Sequence, residues 1–350
     1  MKKILLVGGA GYVGSVLAHE LLERGYAVRI LDRLYFGDQG LADIRDRVEV
    51  VTEDMRTVGA EVLDDVEVLV NVGGLSNDPT AEYNPKANYE MNAGASIALA
   101  RKCKERGVRR YVYGSSCSIY DRGVLNEECD VLLDEMSEVD PKGAYSGSKF
   151  VAENELLPLA SDDFCVAILR KATLFGFSPR MRYDLVVNTF VKDALSKGYM
   201  TLHYGGEMWR PLADVRDAAR AYIALIQTEP VAVNKQIFNL VCHNFRISEV
   251  ALRVREALKG VGVSADIRTD YAYKGVRNYR VSGQKLERTL NFRPTISIEE
   301  SVQTMVHEIR RHGGVEFDNA RYYNIRWMRL LEEAHKIIQV TGSVFEAKGG

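Results

Sequence analysis

No apolar run in the 350 residues approaches the roughly 18 that a membrane span needs, and the first, Ile4–Val7, is too short even for the core of a secretory leader. The expected location is therefore the cytoplasm, with no membrane partner. Net charge is also lacking. The 46 basic residues nearly cancel the 48 acidic ones, so no overall field draws the chain to nucleic acid, and any anion site must be local. Cysteine offers no framework either: Cys103, Cys117, Cys129, Cys165 and Cys242 are odd in number, scattered and without a CxxC pair, which suits reduced thiols. The six histidines contain no HExxH, and His307 and His312, five apart, do not stack on one helical face, so no metal is expected. Internal repeats and low-complexity tracts are absent, and only Gly342–Gly350 reads as a frayed end.

What is present is an ordinary globular mixture, 46% hydrophobic and 27% charged, long enough for one large domain or two modest ones. Short β-branched runs at Ile4–Val7, Val28–Leu31, Val48–Val51, Val66–Val72, Tyr111–Tyr113 and Val166–Leu169 read as strands. Between them lie helical periodicities, such as Val13, Val16, Leu17 and Leu21, and a stretch from Asn88 to Arg106. This alternation predicts an α/β fold with a doubly wound parallel sheet. After about Leu174 the rhythm loosens into an Arg-, Pro- and Gly-rich segment with one helix near Asp184–Leu195. Helix and strand then return at Val215–Ile226 and Gln236–Val241, followed by helices at Ile247–Leu258 and Ile296–Arg310. The expected division gives residues 1–174 with about 213–243 to a dinucleotide-binding domain, and about 175–212 with 244–312 to a smaller substrate-binding lobe. Residues 313–350 form a C-terminal helical extension.

The strongest local signal is Gly8-Gly-Ala-Gly11-Tyr-Val-Gly14, which follows the first strand directly and opens the first helix. In that context Gly8 makes the tight turn, Gly11 admits a pyrophosphate to the positive helix end, and Gly14 lets helix and strand pack closely. Tyr12 and Val13 belong to the same turn. Asp32 ends the second strand about twenty residues on, where its carboxylate can accept from ribose hydroxyls and repel a 2′-phosphate, which favours NAD over NADP; Arg33 beside it softens that preference. Asp54 and Met55, past the third strand, are placed either to hold an adenine or to form a solvated turn.

Tyr145-Ser-Gly-Ser-Lys149 puts Tyr and Lys on one face of a helix spanning Ala144–Leu157. A phenol, with a reference pKa of about 10, becomes a base near neutrality only if cations stabilise its phenolate, as Lys149 and an oxidised nicotinamide would. With 18 tyrosines, about one such spacing arises by chance. The pair gains weight from Gly114-Ser115-Ser116-Cys117-Ser118-Ile119-Tyr120, at the carboxyl end of a predicted strand, where open parallel sheets bind ligands.

The glycine motif, Asp32, Asn92, the Ser-Ser-x-x-Ile-Tyr loop, Tyr145 with Lys149, and Arg210-Pro-Leu-Ala-Asp214 together resemble the extended short-chain dehydrogenase/reductase family, over nearly the whole chain, and more narrowly its nucleotide-sugar epimerase and dehydratase group. The resemblance implies a Rossmann domain, tightly held NAD and a small substrate lobe, with Ser116 as catalytic hydroxyl, Tyr145 as base and Lys149 on the nicotinamide ribose. Asn92 and Ser115 join the cofactor set. Family dehydratases carry an Asp-Glu pair just after the loop hydroxyl; Cys117-Ser118 stands there instead, which disfavours 4,6-dehydration. Asn71-Val-Gly-Gly74 replaces the usual His-Leu-Ala-Ala. The Gly-Ser-Ser-Cys run also resembles epimerase/reductases that make GDP-fucose, which would make Cys117 an acid or base at the substrate; the alternative is a small packed thiol. The segment Phe175–Asn188 with Arg277-Asn-Tyr-Arg280 resembles a branch that includes GDP-heptose 4-dehydrogenases.

Arg180, Arg182, Arg210 and Arg277 are candidates for the substrate diphosphate, since a planar fork matches phosphate oxygens, although each can equally be a salt-bridged surface residue. Thr173 stands where relatives place an asparagine near the sugar. The leading expectation is a nucleotide-sugar epimerase working at C4 through a 4-keto intermediate. Its alternatives are a C4 dehydrogenase or ketoreductase on the same site and a non-catalytic NAD-sensing regulator. Helices near Asn88–Arg106 and Ala144–Leu157 are expected to pair in a homodimer or to be buried within one chain.

Overall fold

The structure, a computed structural model, describes residues 2–121, 131–272, 277–311 and 316–342. Cys129, His312 and the end from residue 343 on lie outside them.

Seven parallel strands form the central sheet: β1 (Lys3–Val7), β2 (Ala27–Leu31), β3 (Glu49–Val51), β4 (Val66–Asn71), β5 (Arg110–Ser116), β6 (Cys165–Lys171) and β7 (Gln236–Leu240). Their order is β7-β6-β5-β4-β1-β2-β3. Helices cover both faces, so the inner strands read as unbroken apolar runs rather than alternating ones; Ile4, Leu5 and Leu6 are all fully buried. One core joins β1, β2 and β4 to helix α1 (Tyr12–Glu23) and to the helix Val215–Gln227. The other joins Tyr111, Tyr113, Val166 and Ile168 to Ala152 and Leu156 of helix α2 (Ala144–Leu156). Strand order reverses between β1 and β4, so a crevice opens at their carboxyl ends, where doubly wound sheets hold ligands.

The stretch Asn88–Arg106 is helical as far as Glu105, as its periodicity predicts, and is widened at one turn. It runs as Pro85–Tyr89, a π-helical turn Glu90–Gly94 and a helix Ala95–Glu105. The Tyr113 hydroxyl donates to the Asn92 carbonyl at 2.7 Å, which supplies a partner for a backbone acceptor at the widened turn. Asn92 Nδ2 donates to the Leu75 carbonyl at 2.9 Å.

Beyond β6 the strand Thr173–Phe175 runs parallel to Trp209–Asp214, which pairs antiparallel with His243–Arg246; Tyr199–His203 and Asp266–Asp270 make a separate parallel pair. Arg210–Asp214 is thus strand that feeds the helix Val215–Gln227, whose first turn Asp214 caps by accepting from the Arg216 N–H at 2.8 Å. The other long helices here are Val186–Lys197, Ile247–Gly260 and Ile298–Arg311. The described chain ends in helix α3 (Asn324–Thr341). Among the described residues no helix is long and apolar enough to cross a membrane, and no cluster of His, Cys, Asp or Glu is placed to hold a metal.

Candidate active site

The turn after β1 is sterically determined. Gly8 has φ +78°, and a Cβ there would lie 2.6 Å from Gly73 Cα; a Cβ on Gly14 would lie 2.0 Å from the Gly8 carbonyl oxygen. Gly11 caps α1 with extended backbone and no side chain, so the positive end of the helix opens onto the crevice. Asp32, just past the tip of β2, accepts from the Ala10 N–H at 3.0 Å and the Leu34 N–H at 2.8 Å. Burial raises its pKa against the pull of those two bonds.

These groups bound one part of a cavity of about 340 Å³. Gly8, Gly11, Tyr12, Val13, Asp32, Arg33 and Met55 line it. Asp54 is not among the lining residues, and its carboxylate is engaged by Arg33 at 2.7 Å and by Arg56 at 2.6 Å. Asn92 and Ser115 are fully buried and do not line the cavity either.

Ser116, Tyr145 and Lys149 meet in the same cavity. Ser116 closes β5; Tyr145 and Lys149 lie one turn apart on α2. Burial raises the Tyr145 pKa, opposed by the Arg277 charge and a side-chain hydrogen bond with Ser116. Burial drives Lys149 well below its usual value, helped by Lys171 and resisted by Glu153. Lys149 Nζ donates to the Gly114 carbonyl at 2.9 Å and lies 4.7 Å from the centre of the Tyr113 ring. The helix that carries this pair is fixed by a buried fork: Arg170 of β6 holds Glu153 at 2.6–3.1 Å and donates to the Tyr120 hydroxyl at 2.6 Å.

The arginine set divides. Arg180, Arg182 and Arg277 line the cavity and Arg210 does not; Arg210 Nη1 donates to the Trp209 carbonyl at 2.9 Å. Arg182 is bound to Asp184 at 2.8 Å and to Ser76 at 3.1 Å, and Arg277 pairs with Asp78. Arg180 stacks 3.8 Å over the Phe36 ring, and its pKa is lowered to about 9 by burial and the neighbouring Arg182, against Asp184 and Asp32. It therefore stands toward the Asp32 side. Thr173 reaches the cavity. Cys117 does not: it is fully buried, its thiol donates to the Arg170 carbonyl at 3.3 Å, and burial pushes its pKa far up, so the geometry is that of a small packed thiol. Tyr279, within the Arg277-Asn-Tyr-Arg280 run, also lines the cavity, as do Lys171, Asn324 and Met328, which no motif announces. Lys171 sits in register with Ser116, a relationship visible only once β5 and β6 are paired.

A glycine cradle that tolerates no side chains, a bare helix N-terminus and a carboxylate past the tip of β2 fit a dinucleotide, with Gly8, Gly11, Tyr12, Val13 and Asp32 placed to hold it. The family model for the NAD dependent epimerase/dehydratase family matches residues 4–240. UDP-N-acetyl-alpha-D-glucosaminuronate decarboxylase of Bacillus cytotoxicus is 23% identical over 322 residues, spanning 88% of this chain and 98% of that protein. The UDP-glucose 4-epimerase of Neisseria meningitidis serogroup C is 25% identical over 304 residues, spanning 77% and 86%. The UDP-glucuronic acid 4-epimerase of Bacillus cereus, solved with UDP-glucuronic acid and NAD, superposes with a TM-score of 0.77 at 20% identity, over 89% of this chain and 99% of that one. The chain belongs to the NAD dependent epimerase/dehydratase family and is an enzyme of the extended short-chain dehydrogenase/reductase type whose cofactor is NAD.

Proposed function

We propose that the protein is a nucleotide-sugar epimerase acting at C4 through a transient ketosugar. The observation that carries this reading is the meeting of Ser116, Tyr145 and Lys149 in one cavity with Asp32 and the glycine turn. NAD, when bound, accepts a hydride from the sugar and returns it. Ser116 orients the sugar hydroxyl, and Tyr145 takes its proton. The Arg277 charge offsets part of the burial that raises the Tyr145 pKa. Lys149, fixed on Gly114, orients the ribose next to the reacting carbon. Arg182 and Arg277 face the cavity as the cationic groups for a diphosphate, each needing to exchange a carboxylate partner for phosphate oxygens. Cys117, the residue after Ser116, is turned into the core and cannot serve as a second acid or base, which disfavours elimination of water.

The relatives include both a decarboxylase and a 4-epimerase of UDP-sugars, which supports a nucleotide-sugar substrate. The deciding experiment presents UDP-, GDP-, CDP- and dTDP-sugars to the purified protein, reading product stereochemistry and absorbance at 340 nm. An inverted C4 with no net NADH supports epimerisation. Steady NADH accumulation identifies a C4 dehydrogenase instead, and no turnover of any sugar would leave the NAD-sensing reading in its place.

A further inference from the structure

Helix α3 is buried at its start and exposed toward its end. Asn324 is 7% exposed, whereas Ile337, Ile338 and Val340 are 61%, 53% and 76% exposed. Polar clasps hold the first turn. The Trp327 indole N–H donates to the carbonyl of Tyr35, three residues past Asp32. Asn324 Nδ2 donates to Ser76 Oγ at 2.8 Å, in the loop after β4, and Asn324 Oδ1 accepts from Arg180 at 2.7 Å. Just upstream, the Tyr322 carbonyl accepts from the Tyr183 N–H at 3.1 Å, and the Tyr183 ring meets those of Phe317 and Tyr322 edge-on at 5.2 and 5.1 Å. One short stretch thus ties together the turn after β2, the loop after β4 and the segment that follows Gly176. Met328, four residues after Asn324 and so on the same helical face, lines the cavity along with Asn324.

We infer that the start of α3 is a wall of the cofactor site, with Asn324, Trp327 and Met328 retaining NAD by locking the turn after β2 to the loop after β4. The inference rests on the reading of the cavity as the NAD site. Its physical content is kinetic: for the dinucleotide to leave past Asp32, the clasps to Tyr35, Ser76 and Arg180 must open together, so release is slow. A closed hydride cycle requires a cofactor that stays until the hydride has been returned, and this wall supplies the means.

The test uses the full chain, purified without added NAD and dialysed, with nucleotide content read after denaturation and the NAD release rate read by exchange against labelled NAD. The Asn324→Ala/Trp327→Phe double variant removes the clasps, and Met328→Ala removes only cavity-lining atoms. Release is expected to be at least about tenfold faster in the double variant, which loses the three hydrogen bonds to Tyr35, Ser76 and Arg180, and nucleotide content after dialysis should fall. Met328→Ala should also speed release, by a smaller factor. Ile337→Ala, on the exposed part of the helix, should match the parent. If the double variant fails to fold by circular dichroism, Met328→Ala carries the comparison by itself. Folded variants that keep NAD as long as the parent would overturn the inference. A parent that binds no NAD at all, even when it is supplied, would overturn the reading of the cavity and the inference with it.

Discussion

Lys149 Nζ and the Gly114 carbonyl are 2.9 Å apart, a hydrogen bond that joins α2 to β5 two residues before Ser116. It fixes the lysine between the helix and the carboxyl end of the sheet, on the same helical face as Tyr145. Burial and the nearby Lys171 both disfavour charge on Lys149, and the Glu153 carboxylate favours it.

Lys149→Met should therefore do more than lower the rate. A general base of the Tyr145 kind is active when deprotonated, and its pKa already stands above the ordinary phenol value. Removing a cation that stabilises the phenolate raises it further, so the acidic limb of the kcat/KM profile should move to higher pH. The rate at neutral pH should fall by about a hundredfold or more. Steady-state kinetics across pH with saturating NAD check this. An unshifted limb would mean that Lys149 only orients the ribose.

Asp32→Asn tests the cofactor end. Both carboxylate oxygens accept backbone N–H groups, so an amide would set its own N–H against one of those donors. Losing a charge-assisted acceptor costs roughly 1.5–3 kcal/mol, which is about ten- to a hundredfold in NAD affinity. The preference for NAD over NADP should narrow at the same time, because the charge that repels a 2′-phosphate is gone. Titration calorimetry with both dinucleotides on the stripped protein measures both effects.

The glycine turn, Asp32 and the Tyr145/Lys149 pair were legible in the sequence because each depends on local geometry: a steric need for glycine, a strand end, a helical repeat of four. The central strands were legible for a similar reason, since burial on both faces leaves continuous apolar runs. The stretch Asn88–Arg106 was legible as helix but its π turn was not, having no periodic signature; the Tyr113 hydroxyl that binds the Asn92 carbonyl there comes from a residue 21 positions away. Asp266–Asp270 hid for another reason, being a short, largely exposed strand with a single apolar residue, Ile267. Lys171, Asn324 and Met328 reach the cavity only through strand pairing and the docking of α3, which no local pattern encodes.

Lys171 offers a test by pH. Burial lowers its pKa to about 8, while its Nζ donates to the Tyr222 hydroxyl at 3.0 Å. In the unfolded chain the same amine titrates near about 10.4, so between about pH 8 and 10.4 the unfolded state holds more protons and raising the pH stabilises the fold. The slope from this one group is at most about 1.4 kcal/mol per pH unit. In NAD-free protein Lys171→Met should lose that slope and gain stability at neutral pH, where the parent must bury a charge. Urea unfolding at neutral pH and at one and two units above it measures the difference.

Glu153 completes a series with Tyr145 and Lys149, one residue per turn on α2, and its partner Arg170 lies on β6. Both side chains are almost wholly enclosed, at 1% and 4% exposure, so neither has water to fall back on. In Glu153→Gln, Arg170 would keep the Tyr120 hydroxyl yet lose the charge that its fork grips. Breaking a buried pair from one side costs about 3–5 kcal/mol, whereas replacing both members with apolar residues of similar volume is often nearly neutral. Glu153→Gln should accordingly lower the unfolding free energy by roughly 3 kcal/mol, and Glu153→Leu/Arg170→Met should recover much of it. Activity should not follow stability in the double variant. The ion pair ties α2 to β6 one turn beyond Lys149, so with that tie gone kcat should stay low after stability has returned. Urea unfolding and kcat measured on the same three proteins separate the two effects; a double variant restored in both would show that the pair stabilises the fold without positioning the site.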